Sequence, residues 1–142
     1  MLIGQLALVL AAAFTGAAVY VSVAEQPARL ALDDNGLLRQ WQSSYPRASV
    51  MQAGLAIVSA LLGLATYWST GDWRWLTGAV VMFANLPYTL VVILPTNKRL
   101  QAAVPGAPNA GTRDTIATWA RLHLVRNLLG LLATAACLWA GH

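Results

Sequence analysis

Cysteine occurs once, at Cys137, so the chain can form no internal disulfide and no paired-thiol redox site. Glutamate also occurs once, at Glu25. A carboxylate-bridged di-iron bundle needs four glutamates and paired histidines, and that chemistry is excluded. His123 is the one interior histidine, since His142 is the last residue. With Glu25 it falls short of the three or four protein ligands of a zinc site, so no metal is expected. No glycine-rich phosphate loop or nucleotide motif occurs, and no cofactor is expected. Charge is scarce as well: Asp, Glu, Lys and Arg make up 10% of the residues, against about a quarter in soluble domains. The net charge of +4 is spread over several loops, so a nucleic-acid partner is not expected.

What the chain has is long apolar runs. Its residues are 58% hydrophobic and its mean hydropathy is +0.57. A length of 142 residues fits one domain. Spans are expected at about residues 3–24, 46–69, 73–94 and 113–140, each long enough for a hydrocarbon core of about 30 Å. The first run has no basic residue before it and no charge before Glu25, so it reads as a retained span rather than a signal peptide. Within it, Ala12 and Gly16, and Ala13 and Ala17, recur at spacing four and favour close helix contact.

The connections alternate long, short, long. Pro27 bends or ends the first helix, and Asp33-Asp34-Asn35 can cap a short helix. That short helix, carrying Leu37, Leu38 and Trp41, is expected to lie flat on the interface between spans one and two. Pro46 suits the first position of span two. Thr70-Gly71-Asp72 reads as a tight turn, residues 95–111 with Pro95, Pro105 and Pro108 as a loop, and Thr112 as the last N-cap. The expected fold is an all-α, integral membrane, antiparallel four-helix bundle. Arg29, Arg39, Arg47, Lys98, Arg99, Arg113, Arg121 and Arg126 gather at the long-loop side, Arg74 and the amino terminus at the other. The positive-inside rule then places both long loops in the cytoplasm and both termini outside, in what reads as a bacterial inner membrane. Tryptophans mark two interfaces: Trp41 and Trp119 on the loop side, Trp68, Trp73, Trp75 and Trp139 opposite.

Polar groups near the apolar region mark a site. Trp119, His123 and Arg126 fall at i, i+4 and i+7, a single stripe, with Asn127 beside it. Ionisable groups at this depth face a bundle interior or a wet cavity. Asn85 and Tyr88 share a face around Pro87, whose missing N–H frees the carbonyl of Phe83. Glu25 can meet Arg29, Arg47 or Arg126 at the same end. Helix ends thus converge Glu25, Arg47, Asn85, Tyr88, His123 and Arg126 above an apolar lining suited to a hydrophobic small molecule.

Val-Ala-Glu-Gln-Pro-Ala-Arg at 23–29, the stretch from Trp41 to Arg47, Asn85-Leu-Pro-Tyr-Thr, Leu94-Pro-Thr-Asn-Lys-Arg-Leu and Trp119-Ala-Arg-Leu-His-Leu-Val-Arg together resemble the anthrone oxygenase-like family of small membrane proteins. The resemblance covers nearly the whole chain. It implies oxygenation of an anthrone or related phenol without metal or flavin, and points to Asn97, Trp119, His123 and Arg126 as family positions. On that reading His123 removes a proton while Arg126 and Tyr88 stabilise the oxyanion. Glu25 holds His123 or Arg47 in place, and Asn85, Asn97, Trp119, Arg47 and Asn127 contact the substrate. The alternative is a non-catalytic membrane binding or scaffold protein for a lipid-like ligand or protein partner. Partners expected are the lipid bilayer and the small molecule, with small-residue faces that allow a homodimer.

Overall fold

The computed structural model describes residues 2–107 and 111–142, and every element among them is helical. Four rods, Leu2–Leu30, Asp34–Thr70, Trp73–Ala102 and Gly111–Ala140, are each long and apolar enough to cross a membrane. The first joins α1 (Leu2–Tyr20) to α2 (Gln26–Leu30) through a π-helical turn at Val21–Glu25. The second is one helix, α3 (Asp34–Thr70). The third strings α4 (Trp73–Phe83), α5 (Asn85–Tyr88), a π-helical turn (Thr89–Ile93) and α6 (Leu94–Ala102). The fourth is α7 (Gly111–Ala140). Helix α1 packs on α3 and α7, and α4 packs on the same two, so the rods stand in a square with antiparallel neighbours.

Three boundaries differ from the sequence expectation, and proline explains each. Both π turns end two residues before a proline, Pro27 and Pro95. Widening to i→i−5 bonds, Gln26 N–H to the Val21 carbonyl and Leu94 N–H to the Thr89 carbonyl, lets the helix carry a residue without an N–H. The third rod therefore runs on to Ala102, and the expected loop from residue 95 begins only after it; Pro108 of that loop lies outside the described residues, as does Met1. Pro46 sits inside α3 rather than at its start. The expected interfacial helix is accordingly the first turns of α3, and it does not lie flat. Leu37, Leu38 and Trp41 are fully buried there, since Asp33 caps the helix by accepting from Gly36 N at 2.7 Å and points it straight into the bundle. Thr112 lies within the first turn of α7 and is buried, not a cap.

The bundle is apolar outside and mixed inside. Val50, Leu61, Val91, Leu128 and Leu131 point outward, while the interior uses Ala7, Ala11, Phe14, Ala18, Ala56, Met82 and Ala133 with buried polar residues among them. Small residues bring the helices close: a Cβ on Gly78 would lie 2.6 Å from Cys137 Sγ, and one on Gly130 would lie 2.7 Å from Thr15 Oγ1. The Ala12, Ala13 and Gly16 stripe is on the outer face, so the contact face of α1 is Ala7, Ala11, Phe14 and Ala18 instead. Trp68, Trp73 and Trp139 are exposed at the short-turn end, but Trp41, Trp75 and Trp119 are core residues rather than interface anchors. That end turns through Gly71, left-handed at φ 71°, and Asp72, which accepts from Arg74 N and pairs with its guanidinium at 2.7 Å.

Candidate functional site

Both π turns contribute to one slot: Val21 and Glu25 of the first and Thr89 and Ile93 of the second line it. Its lining comes from all four rods: Glu25 and Arg29 from the first, Trp41, Tyr45 and Gln52 from the second, Asn97 from the third, Trp119, His123 and Arg126 from the fourth. One wall is aromatic. Tyr45 stacks on Trp41 with ring centroids 4.6 Å apart and planes 5° from parallel. Trp119 meets Trp41 edge-on at 5.8 Å and lies 5.1 Å from the His123 ring. Spacing on single helices sets this up, since Trp41 and Tyr45, like Trp119 and His123, are i, i+4 pairs.

Two buried guanidiniums flank the aromatics, and they are treated differently. Arg29 is 2% exposed. It pairs with Glu25 at 2.8 Å, donates to Gln26 Oε1 at 2.6 Å, to Ser44 Oγ at 3.3 Å and to Gln40 Oε1, and stands 5.5 Å over the Trp119 ring. Glu25 Oε1 also accepts from Gln40 Nε2 at 2.9 Å, so the same carboxylate oxygen serves both Arg29 and Gln40. Arg126 has no such partner among the described residues. It is buried, lies 5.4 Å over the Phe14 ring, and its Nε has no acceptor. Tyr45, in the field of Arg126, accepts a hydrogen bond from Asn97 Nδ2 at 2.6 Å.

Buried polar atoms without partners concentrate here. Among the described residues, Trp41 Nε1, Gln52 Oε1, Asn97 Oδ1, Trp119 Nε1 and Arg126 Nε have no hydrogen-bond partner, and all belong to lining residues. Each such atom costs about 1–3 kcal/mol of desolvation, and native proteins rarely gather them without a ligand-related reason. The slot itself is nearly closed. Its free volume is about 20 Å³, room for about one water molecule. Among the described residues, no three His, Cys, Asp or Glu side chains gather in a way that suits a metal ion.

Of the residues expected from sequence, Glu25, Asn97, Trp119, His123 and Arg126 line the slot. Four are elsewhere. Arg47 is exposed and donates to the carbonyl and hydroxyl of Ser43 on its own helix; in the continuous α3 it lies two residues, about 200°, from the slot-lining Tyr45. Tyr88 donates its hydroxyl proton to the Leu122 carbonyl at 2.9 Å, which ties the third rod to the fourth. Asn85 is buried at the Pro87 break and donates to the Met82 carbonyl at 3.2 Å. Asn127 donates to Ser22 Oγ at 2.8 Å, and Ser22 in turn lies 3.5 Å from His123 Nδ1, so Asn127 touches the site only through Ser22. Sequence reasoning missed Tyr45, Gln52 and the central place of Arg29. The i, i+4 spacing of Trp41 and Tyr45 carried the signal, masked by ending a helix between them.

A model of the anthrone oxygenase family matches residues 41–136. The chain belongs to the anthrone oxygenase family. An anthrone oxygenase of Claviceps purpurea is 31% identical over 108 residues, 68% of this chain and 62% of that relative. The anthrone oxygenase tpcL of Aspergillus fumigatus is 31% identical over 130 residues, 84% of this chain and 81% of that protein. The chain thus spans a little under two thirds of the Claviceps protein. No solved structure matches. The family match covers Trp41, Tyr45, Gln52, Asn97, Trp119, His123 and Arg126, while Glu25 and Arg29 precede it.

Proposed function

We propose that this anthrone oxygenase family member is a membrane-embedded oxygenase, independent of metal and flavin, for a small hydrophobic phenol or anthrone. One observation carries the reading: five buried polar atoms without a partner among the described residues, Arg126 Nε among them, belong to side chains that line one aromatic slot. A buried cation without an anion is costly, and an anionic ligand oxygen removes that cost. A flat aromatic fits the indole walls of Trp41 and Trp119.

In this mechanism neutral His123 takes a proton from the carbon opposite the substrate carbonyl, and the charge moves to the substrate oxygen. Arg126, with Asn97 beside it, holds that oxyanion; Tyr88 has no part, since its hydroxyl is spent on the Leu122 carbonyl. The electron-rich carbanion passes one electron to dioxygen, and the resulting radical pair joins as a C–O bond. His123 returns its proton to the peroxide, which loses water to leave a second carbonyl. Atoms and electrons balance: anthrone plus O₂ gives anthraquinone plus water. The protein deprotonates, orients and excludes solvent. Its outward apolar side chains face lipid, and the exposed Arg39, Arg47, Lys98, Arg99 and Arg121 orient the loop end toward the cytoplasm.

Oxygen uptake by the purified protein with 1,8-dihydroxyanthrone, with metal content measured on the same sample, tests this. The expected result is one O₂ consumed per anthrone at substoichiometric metal. Uptake no faster than the uncatalysed background overturns the oxygenase reading, and loss on chelation with recovery on adding metal overturns its cofactor-free form.

A further inference from the structure

Within the slot, one wall differs from the others. Trp41, Asn97, Trp119 and His123 are buried and held between helices, whereas Tyr45 is only half-buried. It precedes Pro46 inside α3, where the missing proline N–H leaves the helix without one of its restraining bonds. Its ring lies flat on Trp41, as a bound aromatic would. Its oxygen takes the Asn97 amide at 2.6 Å, and Ser49 and Arg126 line the same slot. A phenol ring on an indole, with its oxygen on an amide donor in a slot that also holds a guanidinium, is the arrangement a phenolic substrate needs. Tyr45 is among the side chains that bound the slot's free volume of about 20 Å³.

We infer that Tyr45 occupies the ring subsite of its own pocket, and that a phenolic substrate displaces it to take over the Trp41 face and the Asn97 donor. This rests on the proposed reading of the slot as an aromatic site, and it adds a specificity-determining residue. Tyr45 competes with substrate, so only a ligand that stacks on Trp41 and also accepts from Asn97 replaces what is lost when Tyr45 leaves. Apolar aromatics of the same size replace the stacking but not the hydrogen bond, and are rejected. The residue is a wall that yields, not a proton donor.

Two variants test it in the full-length protein. Tyr45→Ala deletes the hydroxyphenyl ring, so p-cresol, which has the ring and hydroxyl of the tyrosine side chain, should bind when titrated calorimetrically into this variant, and toluene should bind at least about fivefold more weakly, the worth of one hydrogen bond. Wild-type protein should bind p-cresol far more weakly than the variant does. Tyr45→Phe keeps the stacked ring but gives up the Asn97 bond; it should bind 1,8-dihydroxyanthraquinone about fivefold more tightly than wild type. Should Tyr45→Ala not fold, Tyr45→Phe carries the test alone. Unchanged or weaker quinone affinity in Tyr45→Phe, or no p-cresol binding by folded Tyr45→Ala, overturns the inference. Unchanged binding with a lower kcat would make Tyr45 a proton donor instead and also overturns it. Binding is read without turnover, so failure of the oxygenase chemistry leaves these outcomes separate.

Discussion

Replacing Glu25 with Gln leaves the Arg29 guanidinium buried with its charge uncompensated. The Arg29 side chain is 1% exposed and that of Glu25 17%, so one partner is dry and the other touches the surface. Breaking a fully buried pair costs about 3–5 kcal/mol. Because Gln26, Gln40 and Ser44 still accept from Arg29 and the substituted amide keeps an acceptor oxygen, the expected loss is about 2–3 kcal/mol. Arg29→Met removes the charge but orphans those acceptors and the Trp119 contact, so it too destabilises. The informative quantity is the coupling. With Glu25→Gln, Arg29→Met and the double variant compared, the pair should show about 2 kcal/mol of interaction. Reversible unfolding in mixed micelles, followed by far-ultraviolet circular dichroism, measures it. Additivity within about 0.5 kcal/mol would refute the argument, because it would mean the Glu25 carboxylate contributes nothing through Arg29.

Other substitutions separate chemistry from packing. His123→Gln should lower turnover at least about 100-fold, the scale of a lost general base, with folded yield nearly unchanged; equal losses in oxygen uptake and yield would make the histidine structural. Gly78→Ala puts a methyl 2.6 Å from Cys137 Sγ and should destabilise by about 1–3 kcal/mol, while Gly78→Ala with Cys137→Ala should recover most of it in the same unfolding assay. At the short turn, the Arg74 guanidinium and backbone N–H hold the Asp72 carboxyl below the usual carboxylate range. Its contribution to the turn is therefore present above the unfolded carboxylate pKa and is lost as pH falls through the lower folded value. Asp72→Asn should flatten that acid limb of the thermal stability profile, and a limb of unchanged size would contradict the assignment.

Four helices were legible because apolar runs of this length have one economical fate. The Trp119, His123, Arg126 stripe was legible for a similar reason, since α7 has no proline to break its register. Prolines hid the rest. Pro95 and Pro46 mark breaks by local rule, yet a π turn carries the one and the interior of α3 the other. The helix from Asp34 therefore brings Trp41 and Tyr45 into the same slot as Asn97 and Arg126. Arg29 looked like one more loop cation because charge counting does not distinguish a guanidinium in water from one enclosed by Glu25, Gln26, Gln40 and Ser44. Arg47 and Tyr88 erred the other way: their residue types suit a site, but Ser43 and the Leu122 carbonyl hold them.

If Arg126 is held ready for an oxyanion, the ionisation of a bound phenol reports on it directly. With 4-nitrophenol as the probe, the absorbance of the bound ligand is titrated against pH for wild type and for Arg126→Met. A neighbouring cation lowers the pKa of an acidic group by about 1–3 units, so wild type should hold the yellow anion at pH values where the free phenol is protonated. Arg126→Met should bind it in the colourless form. The same ionisation midpoint in both proteins would contradict the account.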